Sequence, residues 1–285
     1  MRVLNFGSLN IDNVYRMPHI VRPGESLIAD SHSVFAGGKG LNQSIALARA
    51  GVNVVHAGMI GRDGLFLKEL LEENGVDCSA LKISDTVLSG NAQIQVSEDG
   101  ENAIVLFCGA NKAIPPEMVG EVLDRFEAGD IVVLQNEISV TAQVIREAHK
   151  RGLKVFFNPA PMSDDVADFP LEFVDTLIVN ETEMAEIRKK RSDFSFCNLL
   201  LTLGASGAVY YPANGGKEIV VPGCKVENVV DTTGAGDTFI GYFVAELTKG
   251  LDVETCLRHA AAAAANSITK AGAAVSIPRI EELKF

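Results

Sequence analysis

The residues with the clearest chemical potential lie in one short stretch, residues 229–239, where two glycines flank an alanine just before an acid. After this stretch apolar residues recur at helical spacing up to residues 249–250, so Gly234, Ala235 and Gly236 are predicted to lie at a helix N-terminus. Because these residues have little or no side chain, their backbone N–H groups can approach an anion closely. The positive end of the helix dipole also favours negative charge. The stretch therefore predicts a phosphate site.

Asp237 directly follows this predicted anion site, where a negative side chain would repel the phosphate that the amides attract. An acid in that place is readily explained as a general base, which takes a proton from an attacking hydroxyl group. The alternative is an ordinary strand-to-helix turn whose acidic first-turn residue complements the helix dipole. The local pattern leaves both interpretations open, and the first one predicts phosphoryl transfer.

A second glycine-rich helix start occupies residues 36–43 and contains Gly37, Gly38, Lys39 and Gly40, followed by Asn42 and Gln43. It is not a Walker A motif, because that motif has Ser or Thr directly after its lysine and here Gly40 follows Lys39. The alternative interpretation is a flexible turn with a solvated lysine. Alone, this motif leaves its function open.

Polar residues follow four predicted strands in the C-terminal two thirds of the chain. These strands alternate with helices, which is typical of a parallel sheet with helices on its faces, and ligands bind beyond the carboxyl ends of such strands. The strands are predicted at residues 131–134, 153–157, 176–179 and 199–203. The polar groups after them are Gln135-Asn136-Glu137, Asn158, Asn180-Glu181-Thr182-Glu183 and Thr202. Each group alone is explained by a loop or a helix cap, but four in series predict one binding crevice.

Two segments outside this alternation are predicted to form β-structure of their own. Residues 13–33 contain two prolines and too little helical periodicity for a core helix. Residues 87–107 alternate apolar and polar side chains around a turn at residues 98–100, which predicts a hairpin. The two segments form either a small sheet over the active site or an ordinary edge hairpin. Asn10 and Asp12, just before them, favour turn chemistry when taken alone.

The composition predicts one globular domain that spans residues 1–285. Hydrophobic residues make up 47% and charged residues 22% of the chain, as is usual for a protein with a sizeable core. The net charge of −12 argues against nonspecific nucleic-acid binding, which requires Lys and Arg. The five cysteines and five histidines are scattered without the spacing of a disulfide framework or a metal site. No apolar run is long enough for a membrane span, so a cytoplasmic location without membrane contact is expected.

Residues 231–239, Asp-Thr-Thr-Gly-Ala-Gly-Asp-Thr-Phe, are very similar to the C-terminal signature of the ribokinase (phosphofructokinase-B-like) family of sugar kinases. The Gly-Gly-Lys-Gly-x-Asn-Gln run resembles that family's first signature, and the resemblance extends over nearly the whole chain. It implies a three-layer α/β fold with a central, mostly parallel sheet, helices on both faces and a small β lid. It also implies ATP as phosphate donor, the amides of Gly234, Ala235 and Gly236 as anion hole, and Asp237 as the general base.

Matching with the family, position by position, implies the remaining site residues. The sugar hydroxyls would be held by Asn10, Asp12, Gly38, Lys39, Asn42 and Glu137. The nucleotide would lie near Asn180, Thr202, Gly204, Ala205, Ser206 and Gly207. Glu183 would act on Mg²⁺ through bound water, in keeping with the few carboxylates that this ion uses. A monovalent cation, K⁺, would be held around Asp231, Thr233, Ser267, Lys270, Gly272 and Ser276. Lids of this family often pair between subunits, which implies a homodimer.

The joint form of the first motif with Asn10, Asp12 and Glu137 resembles family members that phosphorylate D-ribose at its 5-hydroxyl. Carboxylates and amides suit the adjacent hydroxyls of a small polyol, and they reject analogues that lack a hydroxyl, because buried polar groups would then be unpaired. The alternatives are fructose, a sugar phosphate or a nucleoside as acceptor, or a protein that binds sugar or nucleotide without turnover.

Residues 184–201 form a shorter segment than the resemblance implies. The family usually has a further helix between its Asn-x-x-Glu and Thr-Leu-Gly motifs, whereas here one short helix must make a crossover that needs about a dozen residues. Either that helix has been lost, or residues are missing from the sequence.

Overall fold

The computed structural model describes residues 1–285, apart from the side chain of residue 214. Within these residues it has two sheets and seven α-helices. The strands are β1 (Val3–Phe6), β2 (Asn10–Met17), β3 (Ser31–Gly37), β4 (Val54–Gly61), β5 (Asp77–Ser84), β6 (Gly90–Ser97), β7 (Asn102–Phe107), β8 (Ile131–Gln135), β9 (Lys154–Asn158), β10 (Thr176–Asn180), β11 (Asn198–Thr202), β12 (Gly207–Tyr211) and β13 (Ile219–Pro222). The helices are α1 (Lys39–Arg49), α2 (Leu65–Glu73), α3 (Glu117–Leu123), α4 (Thr141–Lys150), α5 (Glu181–Arg188), α6 (Ala235–Thr248) and α7 (Val253–Ser267).

The larger sheet has nine strands in the order β13-β12-β11-β10-β9-β8-β1-β4-β5. The seven strands from β11 to β5 are parallel, and β12 and β13 add an antiparallel hairpin at one edge. Strands such as β1 and β8 are buried along their whole length, as expected for parallel strands covered on both faces. The predicted, mostly parallel sheet is confirmed.

Helices cover both faces of this sheet and make three layers. Because side chains alternate along a strand, Ile131 and Val133 pack in one core cluster with α1, α2, α6 and α7. Val132 and Leu134 pack in a second cluster with α3, α4 and α5. The three-layer prediction is therefore confirmed. None of the helices that the structure describes is long and apolar enough to cross a bilayer.

The smaller sheet has four strands in the order β3-β2-β6-β7. Taken alone, Asn10 and Asp12 favoured a turn, and this interpretation is wrong, because β2 begins at Asn10 and pairs with β3 and β6. Strand pairing satisfies the backbone groups that an Asx turn would bind, which leaves both side chains available for other partners. The antiparallel pair of β6 and β7 lies within the predicted hairpin at residues 87–107.

Two elements are too weakly patterned to be predicted from the sequence, β5 and α3. In β5 the buried residues Cys78 and Ala80 alternate with exposed neighbours, so the signal of a strand is present but short. Helix α3 has only seven residues, too few for a periodic pattern to stand out.

The short crossover after α5 still delivers β11 in register. Residues 189–197 form no further helix, yet β10 and β11 pair in parallel from Thr176 with Asn198 to Asn180 with Thr202. Two residues predicted to lie near the nucleotide, Asn180 and Thr202, are therefore neighbours at the carboxyl end of the sheet.

Candidate active site

The N-terminus of helix α1 packs against the loop that follows β1, and the helix carries three polar residues into the site. Its first residue follows Gly38, whose φ of 96° favours glycine. A Cβ at Gly40 would overlap the backbone of Ser8 and Gly7, so the glycine permits this close approach. Leu41 N–H donates to Ser8 O at 2.9 Å. The glycine motif thus fixes the start of α1, and with it the positions of Lys39, Asn42 and Gln43.

Asp237 lies in the first turn of α6, after Gly234 in the left-handed conformation with φ of 76°. Its carboxylate is buried and accepts two hydrogen bonds from α1: Asn42 Nδ2 donates to Oδ2 at 3.1 Å, and Gln43 Nε2 donates to Oδ1 at 2.9 Å. Burial raises the pKa of Asp237, while Lys39 and the two amides oppose this rise. The predicted base is therefore a partly desolvated carboxylate whose position is fixed by helix α1.

Lys39 and Glu137 lie beside Asp237. Glu137 Oε2 accepts a hydrogen bond from Ser8 Oγ and another from the backbone N–H of Lys39, the latter at 3.0 Å. Burial raises the pKa of Glu137, and Ser8 and Lys39 oppose this. Burial disfavours the charged form of Lys39, but the carboxylates of Asp237, Glu137 and Glu183 outweigh it and raise its pKa. Lys39 is thus the cation among three acids.

Asn10 and Asp12 bring the smaller sheet to the same place. Asn111 Nδ2 donates to Asn10 Oδ1 at 2.8 Å, and the Asn10 Nδ2 group, which has no hydrogen-bond partner among the residues that the structure describes, is available as a donor. The carboxylate of Asp12 lies against the backbone of Gly37, where a Cβ would overlap it. Burial, with a smaller effect of the Glu137 charge, raises the pKa of Asp12 to about 6.

Asn180 and Glu183 form a capping box at the start of α5. Glu183 N–H donates to Asn180 Oδ1 at 2.8 Å, and Asn180 N–H donates to Glu183 Oε2 at 2.9 Å. The helix-cap interpretation is therefore correct for one oxygen of each side chain. Glu183 Oε1 and Asn180 Nδ2 make no hydrogen bond within the described part of the chain, so both remain available for ligands. Oxygen ligands and bound water suit Mg²⁺.

A cavity of about 610 Å³ lies between β11, β12, α6 and α7. Its wall includes Ala235 and Gly236 of the predicted anion hole, and Thr202, Gly204, Ala205 and Gly207 of the predicted nucleotide site. Ser206 is exposed in the same turn. Gly207 has φ of 104°, and a Cβ there would overlap the carbonyl of Val221. The cavity therefore joins the phosphate and nucleotide candidates.

The residues predicted around a monovalent cation also converge. Asp231 Oδ1 accepts from the N–H and Oγ1 of Thr233, and its Oδ2 accepts from Gly272 N–H at 2.9 Å. Burial works against the charge of Asp231, but these hydrogen bonds prevail and lower its pKa. The hydroxyls of Ser267 and Ser276 donate to nearby backbone carbonyls. The Lys270 ammonium pairs instead with Glu282 at 3.0 Å, so only its backbone carbonyl suits a cation.

Two residues of this site, Ser8 and Asn111, were not singled out from the sequence, and Gln43 was noted only as part of the glycine motif, without a role. Ser8 contacts Glu137, Asn111 orients Asn10, and Gln43 contacts Asp237. Gln43 directly follows the predicted site residue Asn42, and Ser8 lies two residues before Asn10, which is a usable signal. Asn111 lies outside every motif, and only the packing of its short 3-10 helix, Gly109–Lys112, beside the start of β2 reveals its contact.

The model of the pfkB carbohydrate kinase family matches residues 2–280 of this chain. The chain belongs to this family. Among its relatives is the ribokinase of Haemophilus influenzae, 35% identical over 301 positions that cover 98% of this chain and 96% of the relative. The alignment exceeds the 285 residues of this chain by 16, so at least 16 positions are gaps here.

Solved structures of ribokinases are similar over almost the whole chain. Cryptococcus neoformans ribokinase in complex with ADP is 35% identical with a TM-score of 0.86, covering 99% of this chain and 98% of that one. Arabidopsis thaliana ribokinase complexed with ribose and ATP is 29% identical with a TM-score of 0.86, covering 97% and 95%. The predicted carbohydrate kinase with a ribokinase-like fold is confirmed.

Proposed function

We propose that this pfkB-family kinase transfers the γ-phosphoryl group of ATP to the 5-hydroxyl of D-ribose, with Asp237 as general base. One observation carries the proposal: the buried carboxylate of Asp237 follows Gly236, which lines the nucleotide cavity, and contacts Asn42 of the sugar-side motif. A base at the boundary of two sites can take the proton of a hydroxyl that attacks the phosphate. Catalysis of phosphoryl transfer then consists mainly of positioning and charge stabilisation.

On the sugar side, the hydroxyls are held by Asn10, Asp12, Gly38, Lys39, Asn42 and Glu137. The Oδ1 atom of Asn42 supports this role, because it is buried and has no hydrogen-bond partner among the described residues. A bound hydroxyl would supply the missing donor. The carboxylates of Asp12 and Glu137 supply further acceptors.

On the nucleotide side, ATP lies in the cavity beside Thr202, Gly204, Ala205, Ser206 and Gly207, with Asn180 at its phosphates. The amides of Gly234, Ala235 and Gly236 stabilise the charge of the transferring phosphoryl group. Mg²⁺, when bound, neutralises phosphate charge, and Glu183 holds its water through the oxygen that the capping box leaves free.

K⁺ is proposed to bind around Asp231, with Thr233, Ser267, Lys270, Gly272 and Ser276 supplying oxygen atoms. The ionised state of Asp231 supports this role, since its low pKa keeps one negative charge beside the carbonyls of residues 267–276. The loop lies next to the anion hole, because Ala273 packs against Gly234.

A homodimer is proposed through the smaller sheet. The strand register places Phe35, Ala92 and Leu106 in one row with Asp12, and Ile94 and Ile104 lie on the same face two residues further along. Phe35, Ile104 and Leu106 are each at least 50% exposed. An apolar face of this kind indicates an interaction site. In a two-fold symmetric dimer, the same face of a second copy would cover it.

A coupled assay of ADP release, run with D-ribose, 2-deoxyribose, fructose, a sugar phosphate and a nucleoside, tests the substrate. We expect kcat/KM to be highest for D-ribose, because an analogue without one hydroxyl leaves a buried polar group unpaired. A kcat/KM at least about tenfold higher for another acceptor, the lower end of the discrimination that one methylene gives, would reject ribose and leave the carbohydrate kinase assignment intact.

A further inference from the structure

A chain of buried polar side chains runs from Asp237 into the core beneath α1. These side chains come from α1, β1, β4 and β8, and each is at most 1% exposed. The members are Gln43, Gln135, Asn5, Ser44 and His56. Burying amides in the centre of a sheet costs free energy unless their groups are hydrogen-bonded. A chain of this kind beside a proposed base points to a role in holding that base.

The orientation of the chain starts from a backbone carbonyl. Asn5 Nδ2 donates to Gly40 O at 2.7 Å and to Ser44 Oγ at 2.9 Å. Because a carbonyl oxygen can only accept, Asn5 cannot be reversed without bringing its own oxygen against that of Gly40. The Oδ1 atom of Asn5 must therefore face Gln135.

Each following amide is oriented by the one before it. Gln135 Nε2 donates to Asn5 Oδ1 at 2.9 Å and to Gln43 Oε1 at 2.7 Å. Gln43 must then present its Nε2 group on the other side, where it donates to Asp237 Oδ1 at 2.9 Å. Reversing Gln43 would place its oxygen against the carboxylate of Asp237. The chain therefore aims one N–H group at the base.

We propose that Gln43, oriented by Gln135 and Asn5, is a positioning residue that fixes the rotamer of Asp237 and favours its ionised form. Gln43 has no exposed surface, so it acts through Asp237 and not on the sugar. Asn42 differs, since it keeps 6% of its surface exposed and its Oδ1 has no hydrogen-bond partner among the described residues. This inference rests on the proposed function, in which Asp237 is the base.

The other charged groups that act on Asp237 are Lys39 of α1, Glu137 after β8 and Glu183 of α5. If the N–H group of Gln43 is removed, Lys39 and Asn42 still favour the charged carboxylate, but one of its hydrogen bonds is lost. The pKa of Asp237 then rises, and the base form is populated only at higher pH. His56, at the far end, adds no charge, because burial lowers its pKa to about 3.

The test measures the rate at saturating D-ribose and ATP with Mg²⁺, across roughly pH 5 to 9, in Gln43→Met, Gln43→Glu and Gln135→Met. For Gln43→Met we expect a fall in kcat of about tenfold or more at neutral pH and a KM for ribose within about threefold. The acid limb of the profile of kcat against pH should move to higher pH by about one unit, as expected for the loss of a hydrogen bond to a charged group. Gln43→Glu should shift it further, through repulsion, and Gln135→Met less, because Gln43 is then free to turn.

The matched control is Gln143→Met in α4. Among the described residues, the amide of Gln143 donates only to Pro116 O, so the pH profile of this variant should equal that of the wild type. An unshifted acid limb in Gln43→Met, or a shift there without one in Gln135→Met, would overturn the proposal. If Gln43→Met does not fold, as judged by its melting temperature, Gln43→Glu and Gln135→Met decide in the same way.

Asp237→Asn separates the hypothesis that Asp237 is the base from the hypothesis that Gln43 positions it. Near-normal turnover in it rejects the base itself, whereas lost turnover with unshifted limbs in the glutamine variants rejects only the positioning role.

Discussion

Asp237 combines two properties that a general base for an alcohol requires. Its carboxylate is desolvated, which raises its pKa and hence its affinity for a proton, and it is hydrogen-bonded at both oxygens, which keeps it oriented. Lys39 limits the rise in pKa, so that the ionised form remains available.

Asp237→Asn should lower kcat by at least about 10² to 10⁴, the usual effect of losing a general base, because a carboxamide cannot accept the proton. The KM values for sugar and ATP should stay within a few fold, since the side chain keeps its shape. The ADP-release assay measures both. Asp85→Asn, at an exposed ion pair with Arg62, is the control and should be unchanged. A turnover near that of the wild type in Asp237→Asn would refute the role of the base.

Asp12 should make sugar binding depend on pH. Its pKa is raised to about 6, so the ionised acceptor form predominates only above that pH, and kcat/KM for ribose should fall as the pH drops through about 6. In Asp12→Asn this part of the profile should disappear, together with a loss of kcat/KM at every pH. Asp30→Asn, at an exposed carboxylate in the segment between β2 and β3, is the control. An identical acid limb in wild type and Asp12→Asn would exclude Asp12 as its origin.

The contact between α1 and α6 sets the distance between Asp237 and its two amide donors. Gly241 of α6 packs against Ala46 and Leu47 of α1, and a Cβ there would overlap the Cβ of Ala46. The glycine motif at the start of α1 and the small residue in α6 therefore act together. Both are needed for the helices to lie so close.

Gly241→Ala should destabilise the fold by about 1 to 3 kcal/mol, as overpacking does. Because α6 then moves away from α1, kcat should fall by a larger factor than the change in KM. Gly120→Ala in α3 is the matched control. A Cβ at that position meets no atom within 4 Å, so the substitution should be neutral or stabilising by up to about 1 kcal/mol. Thermal unfolding and the kinase assay measure the two effects. Equal melting temperatures for both variants would show that the helix contact tolerates a methyl group.

The loop at residues 271–276 gives a prediction at the same scale. If K⁺ binds there, activity should be higher in K⁺ than in Na⁺ or a bulky organic cation, and Asp231→Ala should abolish the difference. The physical reason is that the loop packs on Gly234, so an ordered cation site holds the anion hole in place. Equal wild-type rates in all three buffers would reject the cation site.

At the scale of the whole molecule, the exposed apolar face of the smaller sheet predicts a dimer. Leu106→Lys should convert the dimer to a monomer, because a charge replaces a side chain that is 61% exposed in one copy. Val220→Lys, at an exposed apolar residue of the larger sheet, is the matched control and should leave the mass unchanged. Light scattering after size-exclusion chromatography measures the mass. A wild-type mass of one chain would contradict the proposal.

The sequence by itself determined the family, the mostly parallel sheet with its two helical layers, and the glycine-rich starts of α1 and α6. Runs of apolar residues and local glycine patterns encode these features, because they depend on neighbours in the chain. For the same reason, β5, in which only two buried residues alternate, and α3, which has seven residues, were not predicted.

Only the tertiary structure decided that Asn10 and Asp12 lie in a strand, that Asn111 orients Asn10, and that Gln43 is linked through Gln135 to Asn5. The hydrogen bonds of Asn111, Gln43 and Gln135 join residues 92 to 130 positions apart, and the direction of each amide depends on the partner beyond it. Strand register and helix packing fix such orientations together, so no local pattern in the chain can encode them.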